Sequence, residues 1–155
     1  QFLEIRVTPI KAQKYMRFAE TAASLSKDPS TKVGAVAIND DGIVLATGYN
    51  GFPRGVIDSE ERLCNRDMRL KLTSHAEQNL VAQSAYSGMS IRGATVLVSS
   101  LFPCAECAKS LAQAGVKRVI APKIDNERWK ESNELAKVIF EESGVEVIEY
   151  EEANK

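Results

Sequence analysis

The sequence predicts a three-layer α/β domain, a mixed five-stranded sheet sandwiched by helices, and three observations predict it. An amphipathic helix is followed by a β-rich hairpin; from Ser74 onward strands alternate with helices; and no repeat, low-complexity block or Pro/Gly/Ser-rich linker divides the 155 residues. A chain of this length buries roughly 70% of its unfolded surface in one core and is short for two domains, so residues 1–155 read as a single domain.

The first element is IKAQKYMRFAETAASLS, which sets Tyr15, Phe18, Ala19, Ala22 and Leu25 at three- and four-residue steps, the period of a helix laying one face on a core. VGAVAIN and IVLATGY, joined by DDG, read as a hairpin around a turn that favours positive φ. Asn50 to Ser74, NGFPRGVIDSEERLCNRDMRLKLTS, has room for a short helix but is long for a connection, and long connections tend to be functional; the alternative is a solvated excursion. HAEQNLVAQSAYS then reads as helix, ATVLVSS as strand, CAECAKSLAQAG as helix, KRVIAP as strand, ERWKESNELAKVIFEESG as helix and VEVIEY as strand. Joined by single helices, the last three strands are expected to run parallel with right-handed crossovers. Gly115 and Gly144 are expected to close their helices in the left-handed conformation.

Composition narrows the function classes. Twenty Lys and Arg against 21 Asp and Glu give no electrostatic footprint for a nucleic-acid polymer or a membrane surface. No apolar run approaches the roughly 18 to 20 residues of a membrane span, and the opening QFLEIRVTPIK lacks the apolar core and cleavage site of a signal peptide, so the chain reads as cytoplasmic. An odd number of cysteines, three, suits reduced thiols that pack or bind metal better than a disulfide framework.

Chemistry concentrates in two short stretches. Pro103-Cys104-Ala105-Glu106-Cys107 sets two cysteines at a predicted helix start directly after a strand, where unpaired N–H groups and the helix dipole favour thiolates. His75, the only histidine, also stands at a helix start. If the two helices lie side by side, one His and two Cys supply three ligands and leave a fourth tetrahedral position open, the arrangement of a catalytic zinc. A zinc there lowers the pKa of a coordinated water toward about 7. Glu77, two residues beyond His75, is the candidate proton carrier; its alternative role, a first-turn carboxylate balancing the helix dipole, is worth only some tenths of a kcal/mol. Cys64 has no second cysteine or histidine left to join it and reads as a free thiol, so one zinc per chain is expected.

H-x-E with P-C-x-x-C resembles the zinc signature of the cytidine deaminase superfamily. SKDPSTKVGAVAIN (Ser26 to Asn39), GYNGFPRG (Gly48 to Gly55), HAEQN and LFPCAECAKSLAQAGVKRVI extend the resemblance to the deoxycytidylate deaminases across most of the chain. That resemblance implies the cytidine-deaminase-like fold and zinc-dependent hydrolysis of dCMP to dUMP and ammonia, the precursor step for thymidylate. It makes His75, Cys104 and Cys107 the zinc ligands and Glu77 the residue that protonates the ring nitrogen and then the departing ammonia. It places the Ala76 N–H on the pyrimidine carbonyl, Asn50 on the deoxyribose, and Ser26 and Lys27 near the 5′-phosphate, although Lys27 before Asp28-Pro29 equally suits a solvated turn. Trp129 follows the fourth strand and could stack on a base or simply pack; Arg54, Arg62, Arg66 and Arg69 could grip phosphates or keep a surface wet. The resemblance further implies a homohexamer, with dCTP plus magnesium as activator, dTTP as inhibitor, and Gly51, Arg54, Gly55 and Asp58 at a regulatory nucleotide site. The competing readings are a deaminase of dCTP or of both nucleotides, and a non-catalytic nucleotide-binding zinc protein, against which the presence of Glu77 counts.

Overall fold

In the computed structural model, residues 9–151 are described. The opening stretch read for a leader is mostly residues 1–8, which lie outside the described residues, as do residues 152–155 at the far end of the expected domain. The elements run α1 (Pro9–Ser24), β1 (Gly34–Ile38), β2 (Val44–Tyr49), α2 (Glu60–Cys64), α3 (Arg66–Leu72), α4 (Ala76–Ser87), β3 (Thr95–Val98), α5 (Ala105–Gln113), β4 (Arg118–Pro122), α6 (Lys130–Glu142) and β5 (Glu146–Tyr150). Among the described residues no helix is long and apolar enough to cross a membrane.

The five strands form one mixed sheet in the order β2-β1-β3-β4-β5. The hairpin pairs β1 with β2 antiparallel around Gly42, whose φ is 78°. β1 is also antiparallel to β3, while β3, β4 and β5 run parallel as expected of strands joined by single helices. Alternation along β1 divides the core: Ala35 and Ala37 face the layer of α4, α5 and α6 with Leu80, Leu111 and Phe140, whereas Val36 and Ile38 face α1 with Met16 and Ala19. Both faces being covered, all five β1 residues are buried. Gly115 and Gly144 have φ of 81° and 77°, the left-handed closures expected of them.

The face that α1 buries differs from the expected stripe. Ala19 and Ala22 are buried, but Phe18 is 49% and Leu25 62% exposed, and Ala12 and Met16 take their place. The reason is close approach. A Cβ on Gly34 would lie 1.8 Å from the Ala19 carbonyl oxygen, so α1 meets the sheet closely through Ala19 and turns Phe18 outward, while Tyr15 packs partly against the core.

The long connection holds two short helices. Asn65 ends α2 and caps α3, its Oδ1 accepting from the Met68 N–H at 3.1 Å. At its two ends, Gly51 and Ser74 exchange backbone hydrogen bonds of 3.0 and 2.8 Å, fixing the residue before His75 to the end of β2.

Candidate active site

α4 and α5 pack side by side, and their amino ends meet at the carboxyl edge of the parallel strands, where open α/β sheets gather ligands. His75 is the cap residue of α4 and Cys104 that of α5. The His75 N–H donates to Gln78 Oε1 at 3.0 Å, which fixes the backbone carrying the imidazole. Cys107 lies on the first turn of α5 and is fully buried.

The loop leading to Cys104 is held at three points. Ser99 Oγ accepts from the Gly34 N–H at 3.0 Å. Ser100, with φ 71°, takes the left-handed conformation that few side chains tolerate, and its Oγ donates to the Lys32 carbonyl at 2.9 Å. Buried Asn133, reaching across from α6, donates through Nδ2 to the carbonyls of Phe102 at 3.2 Å and Pro103 at 3.0 Å. Replacing Asn133 by leucine leaves two carbonyls short of a donor. The expected result is a loss of about 1–3 kcal/mol in denaturant unfolding and a weakening of metal affinity by roughly 10- to 100-fold in a chelator competition.

His75 Nδ1 stands 3.3 Å from Cys107 Sγ and 3.4 Å from Cys104 Sγ, and all three ligand atoms lie within 4.8 Å of one another. Bonds of about 2.3 Å to sulfur and 2.0–2.1 Å to nitrogen at a tetrahedral angle separate the two ligands by roughly 3.5 Å, so the donor set fits zinc in kind and in spacing. The electrostatics agree. A hydrogen bond from the Cys107 thiol holds Cys104 down at about 4, while the same bond, with burial, pushes Cys107 up. Two sulfurs sharing a proton in this way are a pair that a dication can deprotonate fully. His75 is raised, first by its hydrogen bond with Cys104.

Glu77 is 4% exposed, and burial pushes its carboxyl up to about 7. A carboxylate there is disfavoured by a few kcal/mol, more than the helix dipole returns, so balancing the dipole does not explain its position.

These groups border a cavity of about 200 Å³. His75, Ala76, Glu77, Cys104, Asn50 and Trp129 line it, so the structure brings together most of the residues predicted for catalysis and substrate contact. Ala76 is the first residue of α4, where the N–H has no partner within the helix. The Asn50 amide is anchored to backbone, Oδ1 accepting from Val33 at 2.9 Å and Nδ2 donating to Thr31 at 2.8 Å. Trp129 sits half-buried in a single 3-10 turn, Glu127–Trp129, ahead of α6.

Ser26 and Lys27 do not line the cavity. Ser26 is buried and donates to the Asn50 carbonyl at 2.8 Å, and Lys27 pairs with Asp58 at 2.8 Å on the surface. Gly51, Arg54, Gly55 and Asp58 also lie off the cavity: Gly51 in its bridge to Ser74, Arg54 over the Tyr86 ring at 3.9 Å, and Gly55 at φ 86° with open space around it. Cys64 is an exposed thiol, and among the described residues His75, Cys104 and Cys107 are the group of side chains able to share a metal. Sequence reasoning missed Asn133 and Asp28, both on the cavity wall. The only local signal was Asp28-Pro29-Ser30, an Asx turn in which Asp28 Oδ1 accepts from the Ser30 and Thr31 N–H groups at 2.8 and 3.0 Å.

Comparison with known proteins agrees with this geometry. Residues 9–123 match the model of the cytidine and deoxycytidylate deaminase zinc-binding region. A deaminase of Aliivibrio fischeri is 35% identical over 139 residues, 88% of this chain and 90% of its own length. The Homo sapiens deoxycytidylate deaminase is 33% identical over 141 residues, 84% of this chain and 74% of its own. The dCMP deaminase of cyanophage S-TIM5, solved in apo form and in complex with dCMP and dUMP, superimposes with a TM-score of 0.73 at 31% identity, the apo structure covering 92% of this chain and 99% of its own. With His75, Glu77, Cys104 and Cys107 inside the matched span and the fold superimposing over nearly the whole length, this chain belongs to the cytidine and deoxycytidylate deaminase family.

Proposed function

We propose that the chain hydrolyses dCMP to dUMP and ammonia, with zinc held by His75, Cys104 and Cys107 and with Glu77 as proton carrier. The observation that carries this reading is the buried Glu77 carboxyl beside three candidate ligand atoms on the wall of one cavity. The relatives named for deoxycytidylate, and the phage enzyme crystallised with dCMP and dUMP, support the substrate. When bound, zinc supplies Lewis-acid activation of water at neutral pH.

The remaining chemistry belongs to the chain. Glu77 accepts a proton from the attacking water and gives it to the ring nitrogen beside the amine-bearing carbon. It then transfers the second water proton to the amino group, which departs as ammonia while the water oxygen becomes the new carbonyl. The Ala76 N–H orients the pyrimidine carbonyl, and Asn50, locked by its two backbone bonds, forms a fixed wall for the deoxyribose.

Metal analysis is expected to give one zinc per chain, lost in Cys104→Ser and Cys107→Ser; two per chain would contradict the assignment. Ammonia release from dCMP, dCTP, deoxycytidine and CMP, measured beside zinc content, tests the substrate. Turnover of dCMP is expected, and a fully zinc-loaded protein that deaminates none of the four would overturn the reading.

The family resemblance adds a cytoplasmic homohexamer controlled by dCTP with magnesium and by dTTP. Gly51, Arg54, Gly55 and Asp58 would belong to that regulatory site; the exposure of Arg54 and Asp58 is compatible with it. An Asp58→Ala protein that keeps its full response to both effectors would remove Asp58 from the site.

A further inference from the structure

The wall of the cavity carries more positive charge than the chain as a whole. The net charge is -1, yet the lining includes the cations Arg66, Arg69, Lys123 and Arg128 against two carboxylates besides Glu77, those of Asp28 and Asp125. Lys123 is committed to Glu151 at 2.8 Å, which leaves the three arginines.

Arg69 is 8% exposed, an uncommon position for a guanidinium. Its Nη1 donates to the Leu63 carbonyl at 2.7 Å, but its Nε is buried without a hydrogen-bond partner. The facing Asp28 Oδ2 is 3.7 Å away, close enough to orient the charge and too far for a hydrogen bond. Asp28 Oδ1 is already held by the Ser30 and Thr31 N–H groups. Arg69 lines the cavity, and a buried guanidinium whose hydrogen bonds the protein leaves incomplete is a group that a ligand can engage.

Arg66 lies one turn earlier on the same face of α3, exposed, and no described side chain pairs with it. Arg128 reaches the same cavity from the turn after β4, its guanidinium 5.5 Å from the Trp129 ring and paired with no described carboxylate. Lys27, the cation that resemblance puts near phosphate, faces Asp58 outside the cavity.

We propose that Arg66, Arg69 and Arg128 grip the 5′-phosphate of the nucleotide whose base is processed beside Glu77. Arginine suits this task because its planar fork can donate two parallel hydrogen bonds to phosphate oxygens. Arg69 supplies the fixed, buried contact, and the two exposed arginines close on the phosphate from opposite sides of the mouth. The assignment rests on the reading of this cavity as a nucleotide deaminase site, and it names the residues that separate a nucleotide from its nucleoside there.

The test compares the parent protein with Arg66→Ala, Arg128→Ala, the double variant and Arg69→Lys. Both alanine substitutions are on the surface and keep the fold, and the lysine retains the buried charge while removing the fork. kcat/KM is measured for dCMP, dCTP and deoxycytidine, and dUMP and deoxyuridine binding is titrated separately. Each alanine is expected to lower kcat/KM for dCMP about tenfold and the pair about a hundredfold, with deoxycytidine turnover unchanged and the preference for dUMP over deoxyuridine reduced in parallel. Equal losses on dCMP and deoxycytidine, or an unchanged dCMP rate, overturn the grip. A loss confined to dCTP also overturns it, because the arginines then contact only outer phosphates. The titration separates the two claims. A parent that binds dUMP no better than deoxyuridine refutes the grip even if dCMP is deaminated. A parent that prefers dUMP, loses that preference in the variants and releases no ammonia from dCMP refutes the deaminase reading while the grip stands.

Discussion

Glu77→Gln is expected to lower kcat for dCMP by roughly 10³-fold or more, within the range for loss of a positioned acid–base group, while the protein stays folded and keeps one zinc per chain. The amide fills the same buried space without the cost of a charge, so no collapse of α4 is expected; His75, two residues away, keeps its backbone bond to Gln78. What the amide lacks is a carboxyl that can be either protonated or ionised near neutral pH, the property that burial gives Glu77 by pushing it up to about 7. The comparison is ammonia release under saturating dCMP with zinc measured on the same preparations. Activity within tenfold of the parent would remove Glu77 from the proton path.

The second large effect comes from a residue with no functional group. Gly48→Ala is expected to destabilise the protein by about 3 kcal/mol, the upper end for overpacking, and to weaken zinc retention as well. A Cβ on Gly48 would lie 2.4 Å from the Ala76 carbonyl oxygen and 2.5 Å from the Leu80 nitrogen. These are backbone atoms of α4, so relief requires the helix to move, and the helix carries His75 and Glu77 at its amino end. Gly34→Ala makes the control. Its Cβ meets backbone of α1, which bears none of the candidate ligands, so a comparable loss of stability is expected with a smaller loss of zinc affinity, transmitted only through the Gly34 bonds to Ser99. Urea unfolding and chelator competition on both variants decide the matter; a Gly48→Ala protein with parental zinc affinity would show that α4 is not what its close packing positions.

The reach of sequence reasoning follows from the range of the interactions involved. α4, α5 and the parallel strands were legible because each carries its own period and end signals, such as the glycine at φ 81° that closes α5. The candidate metal ligands were legible because each sits in or just before the first turn of a helix, a local property, and the structure adds that their ligand atoms meet. The buried face of α1 was not legible, since Phe18 fits an apolar stripe and only the approach of Gly34 turns it outward. Partners such as Asn133 for the Phe102 and Pro103 carbonyls, or Lys27 for Asp58, are chosen across about thirty positions by the finished fold. Gly48 shows the same limit: quoted only as part of GYNGFPRG, it proves to be a seat for α4, which no local pattern announces.

The bridge between Gly51 and Ser74 makes residues 52–73 a closed detour whose two ends remain adjacent whatever its length. Doubling such a detour costs only about 0.6 kcal/mol of closure entropy, and His75, Cys104 and Cys107 lie outside it. Lineages descending from this architecture are therefore free to insert or delete residues between Gly55 and Glu60, upstream of α3, and to recruit new surfaces there, while His75 is inherited in register.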